Sequence, residues 1–261
     1  MKIAVVKLGG SLITQKSGRR TIRRQVLDRL ATELAEAVAR GRRRILLGHG
    51  SGSFGHVTAA EHGVQAGRGG AVGVSATQAA ARELHEAVLS ALRAANLPVW
   101  SVAPSSSIVT STGRPAAVAV EAVEQALASG LVAVTYGDVV MDREQGHAIC
   151  STETGLLAYA RRLRARGASI RDAYWFGNTD GIYDAAGATI PTLTGATARA
   201  MAAQVGGSDA TDVTGGMRHR LDTAIAFSRL GVTSWILDGT QAETLPAALR
   251  GKYRGGTRVS P

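Results

Sequence analysis

Four glycine-punctuated loops stand out, and three of them carry residue types suited to holding phosphate. In Lys7-Leu8-Gly9-Gly10-Ser11, with Lys16 downstream, glycines directly after an apolar run let backbone N–H groups approach an anion. Lys7, near the end of that run, can reach the anion's oxygens. Gly50-Ser51-Gly52-Ser53-Phe54-Gly55-His56 sets three glycines among small residues as an anion cradle, closed by His56 as a directional donor that can carry charge. His49, just before it, reads as structural. Asp212-Val213-Thr214-Gly215-Gly216-Met217-Arg218-His219-Arg220 is a third phosphate-type turn opening a helix, with Arg220 roughly one turn inside. Gly177-Asn178-Thr179-Asp180-Gly181-Ile182-Tyr183 is a turn that, at a strand's carboxyl end, could contact a nucleotide. None is a Walker A loop or a GxGxxG fingerprint. Three separate phosphate-type loops in one chain predict a site holding several phosphates at once. That is the requirement of phosphoryl transfer, where catalysis is mostly positioning and charge neutralisation.

The elements that must position these loops follow from periodicity. Short apolar runs predict strands over Ile3–Leu8, Arg44–Leu47, Pro98–Val102, Leu131–Tyr136, Asp172–Phe176 and Ser234–Leu237. Helical spacing predicts helices over Ile22–Arg40, Ser75–Ala95, Val118–Ala128, Thr154–Ala165 and Leu221–Leu230, and Val139–Asp142 with Gly146–Ile149 reads as a small hairpin. Gly63 to Gly73 reads as a mobile glycine-rich stretch. Strands alternating with helices, each strand ending in a polar or glycine-rich loop, predict an α/β fold with a mainly parallel open sheet. Ligands of such sheets sit at the carboxyl ends of the strands. One domain is expected, with a lobe boundary near Asp180 to Asp184.

The composition narrows the function classes. With 261 residues, 45% hydrophobic, the chain is long enough for a substantial core and too apolar for disorder. No apolar run is long enough to span a bilayer, and the N-terminus reaches Gly9-Gly10 too early for a signal peptide, so a cytoplasmic protein is expected. Cys150 stands alone, which excludes an internal disulfide framework and a cysteine-based zinc site. The net charge of +10 invites a nucleic-acid role, but the basic runs lie beside helical patterns and aromatics make up only 4%. Attraction of a small anionic substrate is the stronger reading of the charge.

Taken in order, Lys7-Leu8-Gly9-Gly10-Ser11, Gly52-Ser53-Phe54-Gly55-His56, Tyr136-Gly137-Asp138-Val139-Val140, Asp180-Gly181-Ile182-Tyr183, Asp212-Val213-Thr214-Gly215-Gly216-Met217 and Gly256-Thr257-Arg258 resemble the isopentenyl phosphate kinases, a branch of the amino acid kinase superfamily. The resemblance implies an open αβα sandwich, usually a homodimer. An acceptor-binding lobe would span about residues 1–175 and a nucleotide-binding lobe about 176–261. It implies ATP and Mg²⁺, with Lys7 and Lys16 on the transferring phosphoryl group and Gly9, Gly10, Ser11 and Gly52 at the ATP phosphates. Asp180, Gly216 and Arg220 would face the nucleotide. His56 would donate to the acceptor's phosphate, with Gly50, Ser51, Gly55 and Thr152 around it. The acceptor's apolar tail would lie along Val74, Thr77, Ala81, Leu84 and Val88, which recur at helical spacing. An apolar wall suits an isoprenoid better than the compact, polar fosfomycin, substrate of the nearest relative with a different acceptor. Two positions depart from the family in charged residues. Glu153 takes the place of an aspartate expected to orient the lysines, and Arg220 that of a lysine, which exchanges a point donor for a planar fork. These departures motivate the alternative of a nucleotide-binding protein with weakened catalysis.

Overall fold

The structure, a computed structural model, describes residues 1–15, 20–41, 43–205 and 213–261. Lys16 and Asp212 therefore lie outside the described residues. The first half runs β1 (Lys2–Leu8), the single turn α1 (Gly10–Ile13), α2 (Arg24–Arg40), β2 (Arg44–His49), α3 (Gly52–Glu61), α4 (Gly70–Ala94), β3 (Val99–Ser101), α5 (Pro104–Ser107), β4 (Ile108–Ser111), β5 (Arg114–Val118) and α6 (Glu121–Ala128). The second half runs β6 (Val132–Tyr136), β7 (Asp138–Asp142), β8 (Gly146–Cys150), α7 (Thr152–Ala165), β9 (Ser169–Gly177), β10 (Thr192–Thr194), α8 (Gly195–Val205), α9 (Val213–Ser228), β11 (Thr233–Asp238), α10 (Thr244–Leu249) and β12 (Thr257–Ser260).

Eight strands form one sheet in the order β10-β12-β11-β9-β1-β2-β6-β3. From β11 to β3 all neighbours pair parallel; β12 runs antiparallel to β11. A parallel sheet is covered on both faces, and β1 shows why its sequence is a continuous apolar run. Ile3 and Val5 enter one core while Ala4, Val6 and Leu8 enter the other, as the period of two requires. Each large aliphatic side chain buried in this way contributes about 1.5–3 kcal/mol. The first core packs against α7 and α9, the second against α2 and α4, which makes the αβα layering. Chain order reverses between β1 and β9, so the crevice beyond their carboxyl ends is the expected ligand position.

Several sequence expectations need correction. Val118 ends β5 rather than opening a helix; α6 starts at Glu121. The hairpin β4–β5 was not read because its turn depends on Thr112 (φ 48°) and Gly113 (φ 74°), a left-handed pair that no Asn-Gly or Asp-Gly dipeptide announces. The glycine-rich stretch is largely structured: Gly70 already begins α4. The cradle Gly52–His56 is helical, the first part of α3. Among the described residues no helix is long and apolar enough to cross a membrane.

Candidate active site

The site grows from the open end of the parallel sheet. Alternation sends Lys7, after Ile3 and Val5, to the face covered by α7. There Ser151 caps α7 by accepting the Thr154 N–H at 3.1 Å, which places Thr152 and Glu153 in the first turn. Glu153 Oε1 lies 2.7 Å from Lys7 Nζ and 3.4 Å from His219 Nε2 of α9. Burial alone would raise the Glu153 carboxyl, but Lys7 and His219 outweigh it and hold the group well below the ordinary carboxylate range. His219 is raised in turn, chiefly by its bond to Glu153.

The two N-terminal glycine loops meet backbone to backbone. A Cβ on Gly10 would fall 2.6 Å from the Gly52 nitrogen, and one on Gly50 would fall 2.6 Å from the Gly10 nitrogen. Gly52 also takes a left-handed φ of 51°. The Ser53 N–H donates to Thr14 Oγ1 at 3.2 Å, tying α3 to the turn after α1. His56 points from the start of α3 into the space so formed. Although exposed at that surface, it is shielded on its protein side. This dehydration lowers its imidazole, with Glu153 opposing and Lys7 and His219 adding to the effect.

These residues surround a cavity of about 610 Å³. Its charged and basic lining residues include Lys7, Glu153, His219 and Arg220, together with Gly10 and Ser11 of the first loop. Gly50, Ser51, Gly52, Gly55 and His56 of the second loop and Thr152 of α7 also line it. Val57, Ala59, Thr77, Ala81, Ile149 and Cys150 add apolar lining, and Asp138 is a further lining residue. Burial raises the Asp138 carboxyl. A recess of about 90 Å³ shares Lys7, Gly10, Ser11, Glu153 and Arg220 with the cavity and is lined also by Gly9, Gly177 and Thr223 among others. Arg220 donates to Thr179 Oγ1. A Cβ on Gly177 would lie 3.1 Å from Arg220 Nη2.

Not every expected residue joins this cavity. Leu84 and Val88 are fully buried in the core beneath α4, and Val74 packs against Ala59, Val64 and Val139. The helical stripe is real, but only Thr77 and Ala81 on it reach the cavity. The Gly9 N–H is not free for a phosphate because it donates to the Phe176 carbonyl at 2.8 Å. Asp180 lies outside both spaces, its oxygens accepting the Tyr183 and Thr189 hydroxyls at 2.7 Å each. Gly216 falls in the first turn of α9. His219 and Asp138 were missed as individual site residues. His219 was legible only as the neighbour of Arg220, one residue round the same helix.

A cavity with cationic side chains and glycine-rich helix starts at the carboxyl ends of a parallel sheet defines a phosphate-handling α/β enzyme. The chain belongs to the amino acid kinase family, whose model matches residues 2–238. Within that family its similarity is to the isopentenyl phosphate kinases. It is 35% identical over 229 residues to isopentenyl phosphate kinase of Haloferax volcanii, covering 87% of this chain and 89% of that one. It is 29% identical over 274 residues to that of Methanothermobacter thermautotrophicus, covering 98% of each. A solved isopentenyl phosphate kinase structure superposes with a TM-score of 0.80 at 26% identity, covering 98% of this chain and 99% of that one.

Among the described residues no group of three or more His, Cys, Asp or Glu could hold a metal ion. Glu153 is already engaged by Lys7 and His219. The described residues therefore hold no carboxylate cluster that would cage a magnesium ion.

Proposed function

We propose that the chain is a kinase that transfers the γ-phosphoryl group of ATP to isopentenyl phosphate, giving isopentenyl diphosphate and ADP. The observation that carries this reading is the position of Lys7. Fixed by Glu153, it borders both the large cavity and the adjoining recess, where an acceptor phosphate and a donor phosphate would meet. The acceptor phosphate would lie by His56, Gly50, Ser51 and Thr152, with its five-carbon tail toward Thr77, Ala81 and Ile149. The nucleotide phosphates would lie by Gly10, Ser11, Gly177 and Arg220. ATP brings Mg²⁺ on its own phosphates, as that ion prefers.

A phosphate monoester is largely deprotonated at neutral pH, so its oxygen attacks the γ-phosphorus without a general base. The bond from the γ-phosphorus to the β,γ-bridging oxygen breaks, and ADP leaves. The protein's work is electrostatic: Lys7, Arg220, His56 and backbone N–H groups offset the repulsion of two anions and the charge that develops between them. In this reading residues 1–175 supply most of the acceptor site and 176–261 most of the nucleotide site, within one continuous sheet. The working unit is a cytoplasmic homodimer, which sedimentation velocity tests. The reaction is tested by ADP release from Mg-ATP with isopentenyl phosphate or fosfomycin as acceptor. Turnover on isopentenyl phosphate supports the reading. Turnover on fosfomycin alone would overturn the acceptor, and nucleotide binding without turnover would overturn the activity.

A further inference from the structure

Behind the cradle, on its core side, lies a histidine pair that the transfer itself does not use. His49 closes β2 and His85 comes from the middle of α4; they are 0% and 2% exposed. The Tyr136 ring stacks on both, at 5.9 Å from His49 and 4.2 Å from His85. Three contacts run in line. Ser101 Oγ is 2.8 Å from His85 Nε2, His85 Nδ1 is 3.0 Å from His49 Nε2, and His49 Nδ1 is 3.2 Å from the Gly50 carbonyl oxygen.

The direction of this chain follows by elimination. A carbonyl oxygen only accepts, so His49 Nδ1 must carry its hydrogen. Burial keeps His49 neutral, pushed down from 6.5 to about 4, so its Nε2 is bare and accepts from His85 Nδ1–H. Burial, with His49 beside it, pushes His85 down to about 2, so its Nε2 is bare in turn and accepts the Ser101 hydroxyl. Donation therefore runs from exposed Ser101 through His85 and His49 to Gly50, with both rings in the Nδ1–H tautomer.

The far end of the chain meets the cradle. All described peptide bonds are trans, so the Ser51 N–H points opposite to the Gly50 carbonyl. With that carbonyl held against the His49 ring, the Ser51 N–H turns away from the pair, and Gly50 and Ser51 both line the cavity beside His56. A glycine peptide without such an anchor rotates readily, and a flipped one would aim its carbonyl dipole at the anion. We propose that His49 and His85, ordered by Ser101, are positioning residues that hold the Gly50–Ser51 peptide so that the Ser51 N–H is presented to the acceptor's phosphate. This rests on the reading of the cavity as the acceptor-phosphate site.

Two experiments test it. Long-range ¹H–¹⁵N spectra of histidine-labelled protein at neutral pH read the tautomers without any variant: both buried rings should be Nδ1–H. An Nε2–H form, or a charged ring, overturns the relay. The second compares His49→Asn, whose amide keeps a donor near Nδ1, with His49→Leu, which has none. His49→Leu should raise the KM for isopentenyl phosphate about tenfold, the worth of one well-placed hydrogen bond, with the KM for ATP unchanged. His49→Asn should stay within about threefold of the parent, since it restores that bond. Equal effects in the two variants, or an equal rise in both KM values, overturn the proposal. Should His49→Leu fail to fold, Ser101→Ala at the exposed end must weaken the Nδ1–H preference of His85, and an unchanged spectrum overturns the ordering. Turnover on fosfomycin alone would overturn the acceptor, while the tautomers and the same KM comparison on fosfomycin would still decide the relay.

Discussion

Lys7 Nζ and Glu153 Oε1 are 2.7 Å apart, joining the end of the first strand to the first turn of α7 across the mouth of the sheet. The pair holds Lys7 where the cavity and its recess meet, and His219 approaches the same carboxylate oxygen at 3.4 Å. Glu153→Gln removes the charge while nearly keeping the shape. It should lower kcat on the order of 10²-fold, because a misplaced cation no longer offsets the transferring charge. Glu153→Asp should retain more activity than Glu153→Gln. Steady-state kinetics check this order, and equal activities would contradict it.

His56 is expected to contact the acceptor rather than the nucleotide. His56→Ala should reduce kcat/KM for isopentenyl phosphate by about 10²-fold or more, with the thermal midpoint and ATP binding preserved. Unchanged kinetics would remove His56 from the site.

The glycine loops leave no room for a methyl group where they touch. Gly10→Ala places a carbon 2.6 Å from the Gly52 nitrogen, a backbone atom that cannot swing aside. Overpacking of this kind costs about 1–3 kcal/mol. The thermal midpoint should fall by several degrees, at roughly 2–4 °C per kcal/mol for a chain of this size. Calorimetry checks it. Gly67→Ala, where a Cβ meets nothing within 4 Å, serves as the uncrowded control for steric effects, though its φ of 70° carries a backbone cost of its own.

The buried histidines make an acid-side stability prediction. Unfolded, both titrate near 6.5; folded, burial brings His49 to about 4 and His85 to about 2. As pH falls from 6.5 to about 4 the unfolded chain takes up protons that the folded chain refuses. Stability therefore drops with pH, by up to about 1.4 kcal/mol per pH unit for each ring. Urea midpoints measured from pH 7 to pH 4.5 should fall, and His85→Leu should flatten that slope. A slope equal to the parent's would contradict the assignment.

Cys150 lines the cavity yet its thiol is pushed up to about 12 by burial, with Asp138 adding. Alkylation near pH 8 should therefore be far slower than for a free thiol. Rapid modification, followed by mass spectrometry, would contradict the buried placement.

Much of this candidate site was legible in the residues because closely spaced glycines after a strand report tight backbone approach directly. Lys7, Gly10, Ser51, Gly52 and His56 were read from their loops, and they line one cavity. The apolar wall expected along α4 was read less well. Helical periodicity marks a face of α4, but that face points into the cavity at Thr77 and Ala81 and into the core at Leu84 and Val88, a difference set by what packs opposite. The Glu153–His219 contact and the His49–His85 chain join segments far apart in sequence, which local patterns do not encode. Gly9 shows the converse: its loop was recognised, yet its N–H is taken by Phe176 because β9 ends beside it.

The most direct test of the central claim is a ³¹P NMR time course of the enzyme with Mg-ATP and isopentenyl phosphate. Transfer to isopentenyl phosphate gives loss of the monoester signal and growth of two coupled diphosphate resonances, matched one to one by ADP. Release of inorganic phosphate with the monoester signal intact would contradict it.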